Sequence, residues 1–349
     1  MPSTKPLTVG VVGATGMVGR ELVALLVKRR FPIKELRPFS SGRMHSSVRF
    51  KGRSISAPGV AQPALAACDI VFLVSSDEVA LTLAPALAKS GVWTIDDSAA
   101  FRLDKNIPLV IPEVNSSALT ATGRLIASPN CTMTGLAVAG ALLHREIGIR
   151  EIRVATYQAV SGAGKAAVNE LFAQQAALRG LSLESDGRAP VLGPGKSASL
   201  PRAIACNAIP QVGCFGSDGY STEETKVAAE LRKIWSAPDL KVSATAVRVP
   251  TIRGHALAAW LTLARPITLA HVRALLKRTP GLVLSSEDDY PTPRSAGGKS
   301  PVFTGRLRQG ASPKEIALWV VSDNLLKGAA LNSIQIAEEL LRRDWIKPR

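Results

Sequence analysis

The sequence predicts an α/β protein of two domains, a Rossmann-type doubly wound nucleotide domain followed by an α+β catalytic domain. Three observations lead there. The chain has 349 residues, more than one ordinary hydrophobic core organises. Its first 130 residues alternate short apolar runs with helix-period segments, the pattern of a parallel sheet covered on both faces. Its later half sets strands one after another, which predicts a mixed or antiparallel sheet with helices on one face. The division is expected as 1–131 and 132–325.

Residues 7–12 form a compact apolar strand that runs into Gly13-Ala-Thr-Gly16-Met-Val-Gly19. A helix follows with Leu22, Leu25 and Leu26 on one face. Strand, glycine turn and helix together are the context of a dinucleotide fingerprint. The glycines let the backbone approach a pyrophosphate, whose charge sits on the helix N-terminus. The second strand, 34–39, ends in Ser40-Ser-Gly-Arg43. An NAD site places Asp or Glu there for the ribose 2′-hydroxyl. Hydroxyls and an arginine suit a 2′-phosphate instead, so NADP is favoured. Strands follow at 69–74 and 92–95, with a helix at 79–89 between them. Arg102 comes just after a strand's C-terminal end, where such sheets bind ligands, and its guanidinium suits a phosphate or carboxylate. Residues 107–115 read as a further strand and loop.

The stretch Ser128-Pro-Asn-Cys131 is the centre of the chain. A short apolar strand, 124–127, ends at Pro129. Asn130 and Cys131 then open a helix with Leu136, Val138, Ala139, Leu142 and Leu143 as its apolar positions. A cysteine there meets unpaired N–H groups and the positive end of the dipole, so it is expected to favour the thiolate, the form that attacks a carbonyl carbon. A lone cysteine is more often a small buried hydrophobe. The polar neighbours, the glycine turn upstream and a histidine downstream weigh against that here.

Beyond it, 149–160 reads as a long strand leading into Tyr157-Gln-Ala-Val-Ser-Gly-Ala-Gly164, where Gln158 could serve a developing oxyanion or the substrate. Residues 181–200 read as a long loop. Glu223 and Lys226 share one face of a helix, where an ion pair is the default expectation. Residues 242–249 and 255–263 read as two strands joined by Pro250-Thr-Ile-Arg-Gly254, with Arg248 near the end of the first. His255, at the start of the second, is the best acid/base candidate of four histidines. His45, His144 and His271 have no partner motif. Strands at 301–307 and 316–321 precede a C-terminal helix.

Composition excludes several classes. No apolar stretch is long enough to span a membrane, and the N-terminus, Met1 to Leu7, is expected to be too short before the first strand to hold a signal or transit peptide. Cys68, Cys131, Cys206 and Cys214 show no Cys-x-x-Cys spacing and no metal pattern. Free thiols and a cytoplasmic location fit best. The net charge of +16 invites a nucleic-acid reading, but the cations are scattered, with no basic tract or interleaved aromatics.

As a set, these residues resemble the aspartate-semialdehyde dehydrogenase family. The matching stretches are Gly13 to Gly19, Asp97-Ser-Ala-Ala-Phe-Arg102, Val110-Ile-Pro-Glu-Val-Asn115, Pro129-Asn-Cys131 and Tyr157 to Gly164. They continue with Ile204-Ala-Cys-Asn-Ala-Ile-Pro210, Thr222-Glu-Glu-Thr-Lys226, Val247-Arg-Val-Pro250 with Gly254-His255, Tyr290-Pro-Thr-Pro293, and Trp319 to Asn332. The resemblance implies reversible, NADPH-dependent reduction of L-aspartyl 4-phosphate to L-aspartate 4-semialdehyde, with phosphate released, in biosynthesis of lysine, threonine, methionine and isoleucine. It implies a thioacyl-enzyme on Cys131 and proton exchange at His255. Gln158 and Asn130 would orient sulfur and substrate. Arg248 would hold the substrate carboxylate, Glu223 its ammonium, and Arg102 and Lys226 the phosphate. Gly13, Thr15, Gly16, Met17, Val18, Ser161, Gly162 and Asn324 would contact the cofactor, with Ser40 and Arg43 at the 2′-phosphate. It also implies a second domain like that of glyceraldehyde-3-phosphate dehydrogenase, a homodimer or homotetramer formed by that domain's sheet, and a C-terminal helix, 326–349, returning to the first domain.

Two departures stand out. The family usually shows Ala-Ser-x-Arg-Ser after the second strand, whereas here the arginine comes one residue late, at Arg43. Where the family tends to Ser-Ala-Gly-Gly, this chain has Ser75-Ser-Asp-Glu78, two acids near the expected nucleotide. N-acetyl-γ-glutamyl-phosphate reductase is the nearest rival reading, but its cysteine usually follows Pro-Gly, not Pro-Asn. A catalytically idle homologue acting as a binding protein is the rival from another class.

Overall fold

The computed structural model describes residues 5–42, 46–183, 185 and 187–349. The chain begins β1 (Leu7–Val12), α1 (Met17–Lys28), β2 (Ile33–Phe39), a hairpin of β3 (Ser47–Phe50) and β4 (Arg53–Ser56), α2 (Gln62–Ala66), β5 (Ile70–Leu73), α3 (Asp77–Lys89), β6 (Trp93–Asp96), α4 (Pro112–Asn115) and β7 (Leu125–Ala127). Its sheet is parallel, in the order β2-β1-β5-β6-β7. The four residues of β5 are all buried, as expected of a strand covered on both faces. The chain leaves β1 for β2 on one side and returns to β5 on the other. The strand ends beside that reversal, at the Gly13 turn and at Val74–Ser75, form the crevice where such sheets hold ligands.

α5 (Cys131–Ile147) then leads into β8 (Ile149–Gln158), α6 (Lys165–Ala177), α7 (Thr222–Ile234), β9 (Lys241–Arg248), β10 (His255–Leu263), α8 (Leu269–Arg278), β11 (Leu282–Leu284), α9 (Pro293–Ala296), β12 (Val302–Gln309), β13 (Glu315–Ser322) and α10 (Leu331–Arg342). The second sheet is mixed, in the order β11-β12-β13-β10-β8-β9. The two strands read as joined through 250–254 are not neighbours. β8 lies between them, parallel to β9 and antiparallel to β10. Residues 107–115 also differ from expectation. They form one isolated bridge, Leu109 to Ala127, and then the short α4. Pro112 lacks an N–H for a ladder but suits a first helical turn.

α5 is the hub. Buried residues cover nearly all of it, from Thr132 through Val138 to Ile147, so no single face is wet. Its Met133, Leu136 and Leu142 belong to one apolar core with Val71 and Leu73 of the first sheet and Leu257 and Leu318 of the second. A second core joins Leu7, Val9, Leu22 and Leu26 to Leu331, Ile334, Ala337 and Leu340 of α10. Between β13 and α10 lies one π-helical turn, Leu326–Ala330, a form often found at functional sites.

Candidate active site

Sheet register brings three side chains to one point. β8 and β9 run parallel with Gln158 opposite Arg248. β10 begins where β8 ends, with Ala256 opposite Tyr157, so His255 joins them. All three are buried. α5 delivers Cys131 to the same point, and its Sγ lies 3.4 Å from His255 Nε2. Gly328 of the π-turn closes the other side of Cys131. A Cβ on Gly328 would lie 2.8 Å from that of Cys131, so only glycine allows the approach.

The protonation states follow from the neighbours. The backbone N–H of Ala159 donates to His255 Nδ1 at 3.0 Å. A neutral ring therefore carries its proton on Nε2, facing the sulfur. Burial and the charge of Arg248 push the His255 pKa down to about 3. Burial, then the Glu223 carboxylate, push the Cys131 thiol up to about 11. The free protein thus holds a thiol beside a neutral imidazole, which corrects the thiolate expected from the helix end. The helix end is spent: Asn130 Oδ1 accepts from the backbone N–H of Thr132 at 2.8 Å and of Met133 at 3.3 Å.

Glu223 organises the polar side. Its carboxylate accepts from Asn130 Nδ2 at 3.0 Å, Thr132 Oγ1 at 2.8 Å and Gln158 Nε2 at 2.8 Å. Gln158 Nε2 also donates to Thr132 Oγ1, leaving Gln158 Oε1 buried without a partner. No ion pair joins Glu223 to Lys226 among the described residues, because the first turn of α7 aims Glu223 inward at Asn130. Lys226 is half-buried and does not line the pocket described below. Arg248 donates from one Nη to Ala159 O at 2.9 Å, and its Nε is buried with no partner. A buried guanidinium N–H left unpaired is costly, so this one is poised for an anion.

Arg102 is held by three bonds, to Ser128 O at 2.9 Å, Asp97 O at 2.7 Å and Glu230 Oε1 at 3.3 Å. Glu230, 1% exposed, also accepts from the backbone N–H of Asn130 at 2.6 Å. One carboxylate therefore anchors both the arginine and the segment carrying Cys131. The sequence reading missed Glu230. Its only signal was an acid at an apolar-periodic position of α7, beside Leu231 and Ile234.

Cys131, Asn130 and Arg102 line a pocket of about 430 Å³ together with Gly16, Met17, Val18, Ser161, Gly162 and Asn324. Gly13 and Thr15 shape the turn behind it. Gly13 has φ 78°, and a Cβ there would lie 2.0 Å from Val74 O. Ser40 is buried, with its hydroxyl donating to Ala57 O at 2.7 Å, and does not line the pocket. Arg43 and His45 lie outside the described residues. Asn324 spends its amide on Gly254 N and Ser161 Oγ, so it shapes the wall more than it reaches out. Asp77 and Glu78 sit in the first turn of α3. Asp77 accepts from Ala99 N at 2.8 Å, and neither acid lines the pocket. His144 stacks on Trp235 with ring centroids 4.9 Å apart, a structural role.

The pocket fits a dinucleotide. The N-cap of α1 is Gly16, with no side-chain cap and no acid in its first turn, so N–H groups stay open to a phosphate. Ser75 Oγ and Asp97 Oδ2, both in lining residues, are buried without protein partners. No cluster among the described residues suits a metal ion, and no helix among them is long and apolar enough to cross a membrane.

Two family models match the chain. "Semialdehyde dehydrogenase, NAD binding domain" covers residues 8–122, and "Semialdehyde dehydrogenase, dimerisation domain" covers 140–327. Aspartate-semialdehyde dehydrogenase of Bacillus subtilis (strain 168) is 40% identical over 346 residues, 97% of this chain and 99% of the relative. The crystal structure of aspartate semialdehyde dehydrogenase II from Vibrio cholerae superposes with a TM-score of 0.90 at 38% identity, covering 97% of this chain and 99% of that one. The same enzyme is solved in complex with ASA. The Candida albicans enzyme, solved with NADP, has a TM-score of 0.74 at 23% identity, covering 98% and 100%, a likeness of fold alone.

Proposed function

Because this chain belongs to the aspartate-semialdehyde dehydrogenase family, we propose that it reduces L-aspartyl 4-phosphate to L-aspartate 4-semialdehyde with NADPH, releasing phosphate. The observation that carries the reading is Cys131 Sγ, 3.4 Å from His255 Nε2, in a pocket shared with Arg102 and the glycine turn of α1. Two rival readings fit less well. Pro-Asn before Cys131 is unlike the reductase of N-acetylated glutamyl phosphate, and an idle homologue would not need this geometry.

The residues divide the work. Cys131 attacks the acyl carbon and holds the acyl group as a thioester, which is activated for the next step. A bound nicotinamide would supply or take the hydride. His255 Nε2–H, facing the sulfur, is placed to donate to the thiolate once the Cys131 proton has left to solvent and to the oxygen of a carbonyl bound there. Arg248 takes the substrate carboxylate as a planar fork. Neutralising Arg248 in that way removes one of the two causes that keep His255 uncharged, so the substrate itself helps to make the histidine basic. Glu223 takes the ammonium, while Gln158 and Asn130 orient substrate and sulfur. Arg102 and Lys226 take the phosphate.

NADP in place of NAD is supported by the end of β2, Phe39-Ser-Ser-Gly-Arg43, which offers no acid to a ribose 2′-hydroxyl. The division into 1–131 with 326–349, and 132–325, is supported by the two sheets and by the packing of α10 on α1 and β1. A homodimer through the second domain fits the dimerisation model matched there. The free thiols suit a cytoplasmic enzyme.

The test is phosphate-dependent reduction of NADP+ with L-aspartate 4-semialdehyde, run beside NAD+ and beside N-acetyl-glutamate semialdehyde. Activity with the first pair that requires phosphate is the expected result. Activity only with the acetylated aldehyde would move the reading to the rival reductase. No activity with either, from folded protein, would leave the idle homologue.

A further inference from the structure

The nucleotide pocket has a second wall, supplied by the turn after β8 and the start of α6. α6 begins much as α1 does. Its N-cap is Gly164, at φ 92°, with no side-chain cap and no acid in the first turn. Met17 of α1 packs against the apolar cluster under α6, which contains Val160, Ala167 and Leu171. That contact holds the two open helix ends near each other, and both line the same cavity.

The first residue of α6 is Lys165. Only two cations line the cavity among the described residues, Arg102 and Lys165. Arg102 is tied at the catalytic end by Ser128 O, Asp97 O and Glu230. Lys165 is exposed, and among the described residues it has no hydrogen bond or ion pair. An uncommitted ammonium on an ordinary surface would mean nothing. This one stands at an open helix end in the cavity that Gly16 to Gly19 also line, where the fold holds a dinucleotide's diphosphate.

We propose that Lys165 is a dinucleotide-binding residue, contacting the diphosphate bridge from the catalytic-domain side. This rests on the reading that the pocket takes NAD(P). The diphosphate is chosen over the 2′-phosphate on position. The 2′ substituent is read at the end of the second strand, here Ser40 to Gly42, and none of those residues lines this cavity. The ammonium and the flanking backbone N–H groups together offer the donors that a diphosphate needs. Because the contact ignores the 2′ position, it strengthens NAD and NADP binding alike.

The experiment is calorimetric titration of the full chain and its Lys165→Ala variant with NADP+, NAD+, ADP-ribose and 2′,5′-ADP. The Kd of the three diphosphate ligands is expected to rise by a common factor of about five to ten, the scale of one charge-assisted contact at a partly open site. The Kd of 2′,5′-ADP, which carries only the adenosine-side phosphate of the bridge, rises by less. Lys165→Arg keeps most of the affinity. Equal binding by parent and Lys165→Ala overturns the proposal while leaving the dinucleotide reading intact. A loss confined to NADP+ and 2′,5′-ADP overturns it in favour of a 2′-phosphate contact. A parent chain that binds none of the four overturns both.

Discussion

α1 and α5 both start at the carboxyl end of a strand in the same parallel sheet, yet they use that position in opposite ways. At α1 the cap is Gly16, which offers no side chain, and the first N–H groups stay free. At α5 the cap is Asn130, which takes two of those groups for itself. The open end is a place for a ligand's charge. The closed end is a rigid mount for a side chain. A helix dipole is worth at most about 2 kcal/mol even when partly buried. At Cys131 that is outweighed by the cost of burying the charge beside Glu223. The cap, not the helix, decides what a helix end does.

If the two ends have separate jobs, they should fail separately. Cys131→Ser should cut turnover by roughly a thousandfold or more, since a hydroxyl is a far poorer nucleophile at neutral pH. Its dinucleotide Kd, measured by NADPH fluorescence, should be unchanged; a Kd that moved with turnover would break the comparison. The next effect concerns pH. With the thiol raised to about 11, the thiolate is a minor species at neutral pH and grows as pH rises. Alkylation of Cys131 in the free protein, followed by peptide mapping because Cys206 and Cys214 are exposed, should gain about tenfold per pH unit from 7 to 9. A plateau below pH 8 would show the helix end winning after all.

Glu230→Gln tests the anchor behind the closed end. An amide can accept from Asn130 N or from Arg102, but its NH2 group meets the other donor. In the phosphate-consuming direction the KM for phosphate is expected to rise about tenfold, the scale of one charged hydrogen bond, with the dinucleotide Kd kept. Equal losses in both would mean a general loosening. The smallest effect is Asn130→Ala in thermal or urea unfolding. It should cost about 1 kcal/mol, as losing an N-cap side chain does. Gly16→Ala, which removes no capping side chain, offers the contrast through dinucleotide affinity.

Much of this was legible in the sequence because punctuation marks the turns. Glycines and Pro129 placed the α1 and α5 ends, and Gly254 placed His255 at a strand start. Partners were harder to see. Nothing in the sequence marks the partners of Glu230 and Lys327, since periodicity reports which face a residue occupies, not what waits opposite. Lys327 is in fact 1% exposed, with its Nζ held by Glu113 at 2.6 Å, Gln335 at 2.7 Å and Asn332 at 3.1 Å. Its partners come from α4 and α10, more than 200 residues apart. The insertion of β8 between β9 and β10 was hidden for the same reason, because consecutive strands need not be neighbours. The thiol's protonation was misjudged because the helix end is local and visible, whereas burial is a property of the whole fold.

The packing of α10 has a consequence for biosynthesis. Ile334, Ala337 and Leu340 complete a core with Leu7, Val9 and Leu22, and Glu338 clamps Arg29 at the end of α1. A ribosome makes the glycine turn early and these residues more than 300 positions later. Until they emerge, the apolar face of β1 and α1 is only partly covered, by Leu36, Phe50, Ile70 and Phe72 among others. The newborn nucleotide-binding half must therefore wait, through the making of the whole catalytic half, with part of its core exposed. Chaperones that guard apolar surface would find their longest engagement there.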